Sequence, residues 1–317
     1  MRWTAIVPQN IAKVSYLCVG EDETGQRLDN WLLARLKGVP KSRIYRIIRS
    51  GEVRVNKGRA KPSSRLAAGD SVRVPPVRRD TEDNAGPVPD GMTQTLSDAV
   101  LYRDDDVLVV NKPAGMAVHA GSGVRFGLID AARALWGERW QLVHRLDRET
   151  SGCLLLVARR ELQHEFQRAH DAGSIRKQYQ SLVHGHWSEQ QCQLESRLGK
   201  YRDGSGERRV ASGDDAPNKR ALTYIDKVQW LRATSLLEIR IETGRMHQIR
   251  VQTADAGHPV VGDAKYGRRA LDAALELPMR PGLCLHACAL QLELGGRSLD
   301  VSAPLPESFK AVITAQS

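Results

Sequence analysis

One short stretch of the chain combines residue types that can perform nucleophilic or acid–base chemistry. Residues 144–152 read His-Arg-Leu-Asp-Arg-Glu-Thr-Ser-Gly and run directly into residues 153–158, whose continuous apolar sequence predicts a buried strand. Asp147 is therefore expected at the rim of a core. There a carboxylate can be partly desolvated, flanked by Arg145 and Arg148, and still reach a substrate. The spacing alone also suits a surface ion pair or a turn, so both interpretations stay open.

Positive charge is concentrated near the N-terminus. The chain of 317 residues has a formal net charge of +10 and a pI near 9.6. Residues 25–79 contain 15 Lys and Arg against 3 Asp and Glu, so this segment alone carries +12. A solvated surface would spread its charge more evenly, whereas a concentrated basic module is typical of proteins that bind nucleic acid. The length is sufficient for two domains.

The cysteines and the start of the chain indicate neither secretion nor a metal site. Five cysteines without framework spacing favour a reducing compartment over a disulfide scaffold. The run Cys-Leu-His-Ala-Cys at residues 284–288 would place three soft ligands on one strand face. A structural zinc site needs four, so core packing is the better interpretation. Residues 1–16 lack the regions of a signal peptide, and no segment has the length of a membrane span. We expect a cytoplasmic protein that has neither a metal nor a membrane partner.

The basic module begins with two predicted helices. Residues 27–37 have the apolar spacing of a helix, and a second helix is expected from an N-cap at Ser42 to a left-handed stop at Gly51. The inner stripe of this second helix is Ile44, Ile47 and Ile48, and its outer face carries Arg43, Arg46 and Arg49. Three guanidiniums on successive turns repel one another unless an anion is near, so this face is predicted to bind a row of phosphates.

Alternating residues predict two short strands, 52–56 and 70–74, on either side of a basic loop at 57–65. Two helices followed by a small sheet resemble the S4 RNA-binding domain, and residues 42–56 carry its pattern of an Arg-rich helix, Gly and Val-x-Val-Asn. The resemblance implies that Lys41, Arg54 and Lys57 also contact RNA. It does not by itself imply an enzyme, because S4 domains also occur in ribosomal proteins and synthetases.

The rest of the chain predicts a linker and a second domain. We expect an N-terminal arm at 1–19, the S4-like domain at 20–76, a flexible Pro- and Gly-rich linker at 77–95 and a catalytic domain at 96–317. In that domain the pattern predicts strands at 107–110, 153–158 and 176–183, helices at 128–136 and 161–172, and an exposed hairpin tip at 203–217. Strands and helices without strict alternation indicate an α+β fold, and there is no Gly-rich phosphate loop.

Residues 144–152 are similar to the signature His-Arg-Leu-Asp-x-x-Thr-Ser-Gly of the RluA-type RNA pseudouridine synthases. The resemblance implies that Asp147 is catalytic and that Arg145 helps to hold the target uridine out of its helix. It also implies that Tyr179, in the matching Lys-x-Tyr strand, packs against the target base. Taken alone, Tyr179 would be read as a core aromatic with its hydroxyl at the edge.

A third matching element is Gly-Arg-x-His-Gln-Ile-Arg, within residues 243–251. A buried carboxylate needs a counter-ion to stay ionised, and we assign that role to Arg250, with Arg245 as the alternative or as a phosphate ligand. The resemblance also places His247 at the substrate and gives Leu285 apolar packing against sugar and base.

The S4-like domain, the stretch Leu-Lys-Gly-Val-Pro-Lys-Ser at 36–42 and Val-His-Ala-Gly-Ser-Gly at 118–123 look most like the RluC branch of this family, which modifies large-subunit ribosomal RNA. The chain departs from the family's common pattern at Gln252, where a His often appears. The resemblance predicts an α+β protein with a small N-terminal S4-like domain and a catalytic domain built on a mixed, mainly antiparallel sheet. The predicted reaction isomerises specific uridines of that RNA by base flipping and an essential Asp, without a cofactor, in a monomer. The alternative is a non-catalytic RNA-binding factor of ribosome assembly.

Overall fold

The computed structural model describes residues 14–36, 39, 41–77, 86–121, 124–204, 207–213, 218–277 and 280–317. The chain divides into two compact units, Met1–Pro87 and Val88–Ser317. Each unit has a hydrophobic core of its own.

The N-terminal unit combines two helices with a four-stranded antiparallel sheet in the order β1-β4-β2-β3. Its elements are β1 (Ser15–Cys18), α1 (Leu28–Arg35), α2 (Lys41–Arg49), β2 (Arg54–Val55), β3 (Gly58–Arg59) and β4 (Ser71–Val74). Its core includes Leu28, Trp31 and Leu32 of α1, Ile44, Ile47 and Ile48 of α2, and Val72 and Val74 of β4. Burial of these apolar faces is the main stabilising contribution to so small a unit.

Both predicted helices are confirmed, and Gly51 ends α2 with a positive φ of 78°. Two details of the prediction are wrong. The helix already begins at Lys41, so Ser42 lies inside its first turn and is not the N-cap; a sequence pattern defines helix ends only to within one or two residues. The predicted arm at 1–19 is also too long, because Ser15–Cys18 forms β1 and pairs with β4. Residues 1–13 lie outside the described part.

The predicted strand at 52–56 is reduced to Arg54–Val55, and the basic loop contains a strand of its own. Asn56 and Lys57 both have positive φ, 48° and 69°, and join β2 to β3 as a two-residue hairpin turn. The Asn56 amide donates to Asp70 at 2.7 Å, and its oxygen accepts the N–H of Ser71 at 2.9 Å. These bonds fix the turn against the start of β4.

The larger unit is built on a mixed, mainly antiparallel sheet, as predicted. Among the described residues its strands are β5 (Val100–Arg103), β6 (Val107–Lys112), β7 (Gln141–Leu142), β8 (Ser151–Val157), β9 (Arg176–His184), β10 (Gln193–Arg202), β11 (Arg208–Ser212), β12 (Lys219–Trp230), β13 (Thr234–Ile241), β14 (Leu285–Leu294) and β15 (Arg297–Ser302). The main path runs β11-β10-β12-β13-β9-β14-β8-β6-β5, with β15 on β14 and β7 on β8. The described pairs are antiparallel except β14 with β8.

Helices cover both faces of this sheet. They are α3 (Asp90–Asp98), α4 (Leu128–Trp136), α5 (Arg160–Asp171), α6 (Gln248–Asp255), α7 (Arg269–Ala274) and α8 (Glu307–Gln316). Alternate residues of β8 enter two different clusters, Leu154 and Leu156 on the side of α4, Leu155 and Val157 on the side of α5. A strand covered on both faces has no polar side, which explains its continuous apolar sequence. No helix in the described ranges is both long and apolar enough to cross a membrane.

The predicted linker at 77–95 must be corrected at its C-terminal end. Residues from Asp90 onward form α3, which packs against α4, and the division between the units falls at Pro87 and Val88. Only Val88, Met92 and Leu96, four residues apart, face the core, so the apolar pattern is too sparse to stand out among polar residues. Residues 78–85 lie outside the described part of the chain.

Candidate active site

Asp147 lies in the loop that leads from β7 into β8. Its side chain is 18% exposed, so it sits at the rim of the core, while the neighbouring Leu146 is buried. The N–H of Thr150 donates to the Asp147 carbonyl at 3.2 Å and closes the turn. Asp147 forms an ion pair with Arg250 and lies beside the imidazole of His247, whereas Arg148 pairs with Glu149. The carboxylate therefore faces the interior of a site.

Gly152 sets the path of this loop into β8. Its φ is 111°, and a Cβ atom added there would collide with the backbone of Ala287. This close approach occurs where β14 runs parallel to β8, with Ala287 opposite Gly152. Only glycine fits this backbone position, which accounts for the last residue of the signature.

Lys112 stabilises the same loop through hydrogen bonds to backbone carbonyls. The residue is fully buried, and its ammonium donates to the carbonyls of Pro113, Met116 and Arg148 at 2.8, 2.9 and 2.9 Å. Burial lowers the pKa of Lys112 to about 7. We did not predict a role for Lys112. The sequence signal that could have indicated its role is a lysine at the end of a continuous apolar strand. A buried ammonium there is costly unless each of its hydrogens is donated to an acceptor.

Arg250 is the counter-ion that the sequence predicted, but a second acid fixes it. Its Nη1 lies 3.3 Å from Oδ2 of Asp147, while its Nε and Nη2 donate to the two oxygens of Asp263 at 2.7 Å each. Burial would lower the pKa of Arg250, yet Asp263 outweighs it and the net shift is upward. Burial would likewise raise the pKa of Asp263, but the hydrogen bonds from Arg250 hold it below its usual range.

This bidentate pair orients the guanidinium so that one nitrogen is left for Asp147. Asp263 is almost fully buried and also accepts the N–H groups of Lys265 and Tyr266, at 2.8 and 3.1 Å. We did not predict Asp263, since nothing in the spacing indicates that the chain returns to Arg250 after α6.

His247 lies beside the carboxylate. Its backbone is left-handed, with a φ of 55°, at the point where the chain enters α6. Its Nε2 lies 3.7 Å from Oδ2 of Asp147, and its Nδ1 lies 2.7 Å from the hydroxyl of Tyr266. Burial lowers the pKa of His247, against the opposing effect of Asp147. Tyr266 was not singled out from the sequence.

Tyr179 stands on β9 and faces the same pocket. It is buried, and Lys177 and Ser181 on the same side of the strand are buried too. Burial and the charge of Asp147 both raise the pKa of its phenol, so the hydroxyl stays neutral. Leu285 follows on the neighbouring strand, opposite Ser181.

One pocket of about 200 Å³ gathers all the residues predicted for the catalytic domain. These are Arg145, Asp147, Tyr179, Arg245, His247, Arg250 and Leu285. Arg145 is exposed at the rim, and Arg245 is half-buried with its Nε donating to the carbonyl of Arg220 at 3.0 Å. Lys200 and Met246 also line this pocket, and we did not predict them. An acid, its counter-ion and an apolar wall thus surround a space open to solvent.

The residues suggested as metal ligands serve other purposes. Nδ1 of His286 lies 2.8 Å from the hydroxyl of Ser151, and Nε2 lies 3.1 Å from the carbonyl of Ala303. Both ring nitrogens are therefore occupied, and the described residues contain no group of three or more His, Cys, Asp or Glu arranged for a metal. Gln252 is buried, accepts a hydrogen bond from Thr223 at 2.7 Å, and donates to backbone carbonyls, which is a structural role.

The remaining predicted residues lie on the N-terminal unit. Arg46 and Arg49 are exposed on α2, Arg43 is half-buried, and the described range does not include the side chain of Lys41. Arg54 and Lys57 line a wide cavity of about 940 Å³ on the sheet side of this unit. Arg73 and the exposed Tyr16 line the same cavity, and the sequence did not point to them.

The chain is similar to several known proteins. Residues 106–255 match the family described as RNA pseudouridylate synthase, and residues 26–72 match the S4 domain. The ribosomal large subunit pseudouridine synthase C of Haemophilus influenzae is 42% identical over 308 residues, which is 95% of each chain. The protein of the same name from Escherichia coli K12 is 42% identical over 306 residues, 94% of this chain and 95% of that one.

A solved structure, human RNA pseudouridylate synthase domain containing 1, superposes with a TM-score of 0.57 at 25% identity and covers 71% of this chain and 90% of that one. The chain therefore belongs to the RNA pseudouridylate synthase family and carries an S4 domain at its N-terminus. It is a pseudouridine synthase, as the motifs predicted.

Proposed function

We propose that this enzyme converts specific uridines of large-subunit ribosomal RNA into pseudouridine, with Asp147 as the group that reacts with the everted nucleoside. The observation that carries the proposal is the position of Asp147 at the rim of a pocket, opposite an Arg250 that Asp263 holds in place. The choice of RNA rests on the relatives named for that subunit, which match along nearly the whole chain.

The reaction breaks the N1–C1′ bond of uridine, turns the freed uracil within the pocket and joins its C5 to C1′. The proton lost from C5 balances the one gained at N1. Because C5 of uracil is an enamine-like carbon, the base supplies its own electronics and neither a metal nor an organic cofactor is needed. Asp147 acts either as a nucleophile at C1′ or as a base at C2′. Both routes need its carboxylate.

The other residues position the reacting groups. Arg145 at the rim assists the eversion of the uridine, a step that costs a few kcal/mol of unstacking. Tyr179 and Leu285 hold the base and sugar from the apolar side, and Arg250 keeps Asp147 charged and oriented. The S4 unit supplies phosphate contacts through Arg43, Arg46 and Arg49, with Lys41, Arg54 and Lys57 as further RNA-binding residues.

The proposal is tested by mapping pseudouridine in ribosomal RNA with carbodiimide and reverse transcription. Cells lacking the gene receive the wild type, Asp147→Asn or Glu149→Gln. Glu149 is a matched control, an exposed carboxylate of the same loop. We expect the wild type and Glu149→Gln to restore the same positions and Asp147→Asn to restore none. Full restoration by Asp147→Asn would favour the non-catalytic assembly factor instead.

The same proposal takes the active form to be a cytoplasmic monomer. A measured molar mass of the purified chain near 35.2 kDa would agree with it. A stable dimer by light scattering would contradict the monomer without affecting the chemistry.

A further inference from the structure

A second cavity of about 340 Å³ adjoins the catalytic pocket. It lies over the hairpin of β10 and β11, beside the start of β12 and the segment that leads into α6. Lys200, Arg245 and Met246 line both cavities, so the two spaces share a wall. We name the second space the flanking cavity. Its volume falls within the range of ~300–1,000 Å³ that is usual for small-molecule sites.

Among the residues that the structure describes, the rim of the flanking cavity is positively charged. Lys200, Lys219 and Arg245 line it together. In the part of the chain that the structure describes, neither lysine forms an ion pair. Glu195 of β10 pairs with Arg220, and so does Glu242, which follows β13. Three cations around one cavity repel one another and attract an anion.

The floor of the flanking cavity is apolar and buried. Leu198 and Val210 are buried there and cluster with Val251 of α6, and Met246 packs against them. The N–H of Val210 also donates to the hydroxyl of Tyr266 at 3.0 Å, which fixes the hairpin to the catalytic side. An apolar floor under a cationic rim suits a ligand that has a flat base and a phosphate.

We infer that the flanking cavity binds the nucleotide next to the target uridine on the same RNA strand. Its phosphate lies against Lys219 and Lys200, and its base rests on Met246, Leu198 and Val210. The occupant follows from the shared wall of the two cavities. When an RNA strand places its target uridine in the catalytic pocket, the adjacent nucleotide of that strand must pass this wall. The inference rests on the proposed function and adds a contact with the RNA beside the target.

The test measures binding with the full-length Asp147→Asn variant, so it does not depend on turnover. The probes are fluorescein-labelled RNA stem-loops copied from large-subunit ribosomal RNA around a uridine identified by the map. One set carries an abasic ribose at either neighbour of that uridine, and another carries a neutral methylphosphonate linkage there. We expect the abasic ribose at one neighbour to weaken binding about tenfold. At the other neighbour it should have little effect.

Lys219→Ala is then compared with Lys227→Ala, an exposed lysine of the same strand that pairs with Glu238. We expect Lys219→Ala to weaken binding about fivefold and to reduce the salt slope by about one. The effect of the methylphosphonate should disappear in Lys219→Ala and persist in Lys227→Ala. Two results would overturn the inference. One is equal affinity for all the abasic probes. The other is that the affinity loss from Lys219→Ala adds to the loss from the methylphosphonate at every position. A failure of the proposed function appears separately, as a map without Asp147-dependent positions.

Discussion

The hydroxyl of Tyr266 lies 2.7 Å from Nδ1 of His247 and joins the catalytic pocket to the neighbouring hairpin. The phenolic oxygen already accepts the N–H of Val210 on β11, so its own hydrogen can be donated to Nδ1. The ring proton of neutral His247 then lies on Nε2, which faces Asp147 at 3.7 Å. Tyr266 thereby sets the tautomer of His247.

Replacing Tyr266 with Phe should lower kcat about fivefold and leave KM nearly unchanged. The variant keeps the ring under Arg250, whose guanidinium lies 5.3 Å from its centroid, and loses both the hydrogen bond to His247 and the one from the N–H of Val210. One neutral hydrogen bond is worth roughly 1 kcal/mol, which corresponds to several-fold in rate. Single-turnover kinetics on the RNA measure the effect. Tyr201→Phe, at an exposed tyrosine of β10, is the control, and equal kcat for both variants would contradict the role of Tyr266.

The sequence allows the prediction of elements whose signal is local. The continuous apolar runs of β6 and β8 and the stripe of α4 identify those elements because burial on one or both faces fixes residue type. The sequence motifs also predict that Arg250 is the counter-ion of Asp147. Contacts made by chain reversal are different: Asp263 and Tyr266 follow α6, and only the folded chain shows that they return to the carboxylate.

Buried polar residues are a second limit on prediction from sequence. Lysine is rarely buried, so Lys112 is naturally read as part of an exposed turn. Its burial depends on three carbonyls that come from two separate loops. The helix α3 escapes prediction for a related reason, because a single fully buried Leu96 anchors an otherwise polar segment.

Asp263→Asn should both destabilise the larger unit and impair catalysis. It removes one charge of a buried pair, which costs about 3–5 kcal/mol, and it frees Arg250 to move away from Asp147. A misplacement of about 1 Å lowers the rate roughly 100-fold. Urea unfolding and kcat measure the two effects.

Asp226→Asn is the matched control, because Asp226 accepts a similar two-pronged contact from Arg240, at 3.1 and 3.2 Å, in an exposed position. Its loss should cost at most about 1 kcal/mol and leave kcat unchanged. Similar stability losses for the two variants would mean that burial does not distinguish the pairs.

Asp29 makes the stability of the N-terminal unit depend on acidic pH. Its side chain is buried and accepts hydrogen bonds from Arg27 at 3.0 and 2.7 Å and from Tyr45 at 3.0 Å. The hydrogen bond from Arg27 lowers the pKa of Asp29 to about 2. A depressed folded pKa stabilises the unit above the unfolded value near 3.8, and this stabilisation is lost as the pH falls toward 2.

Asp29→Asn should therefore cost about 1–2 kcal/mol at pH 6, and less at pH 3. Urea unfolding of the wild type and the variant at both values measures the difference. A difference that stays constant between pH 6 and pH 3 would show that the charge of Asp29 is not what stabilises the unit.

Comparing Gly152→Ala with Gly137→Ala separates two reasons for requiring a glycine, a positive φ and a close approach of another strand. At Gly152 a Cβ atom meets the backbone of Ala287, whereas at Gly137, with a similar φ of 96°, a Cβ atom would find nothing within 4 Å. Gly137→Ala should cost about 1–3 kcal/mol from backbone strain alone. Gly152→Ala should cost more, because β8 and β14 must also separate, and this movement shifts the loop of Asp147. Unfolding midpoints and kcat of both variants measure this. Equal losses would mean that the approach of the two strands does not constrain the catalytic loop.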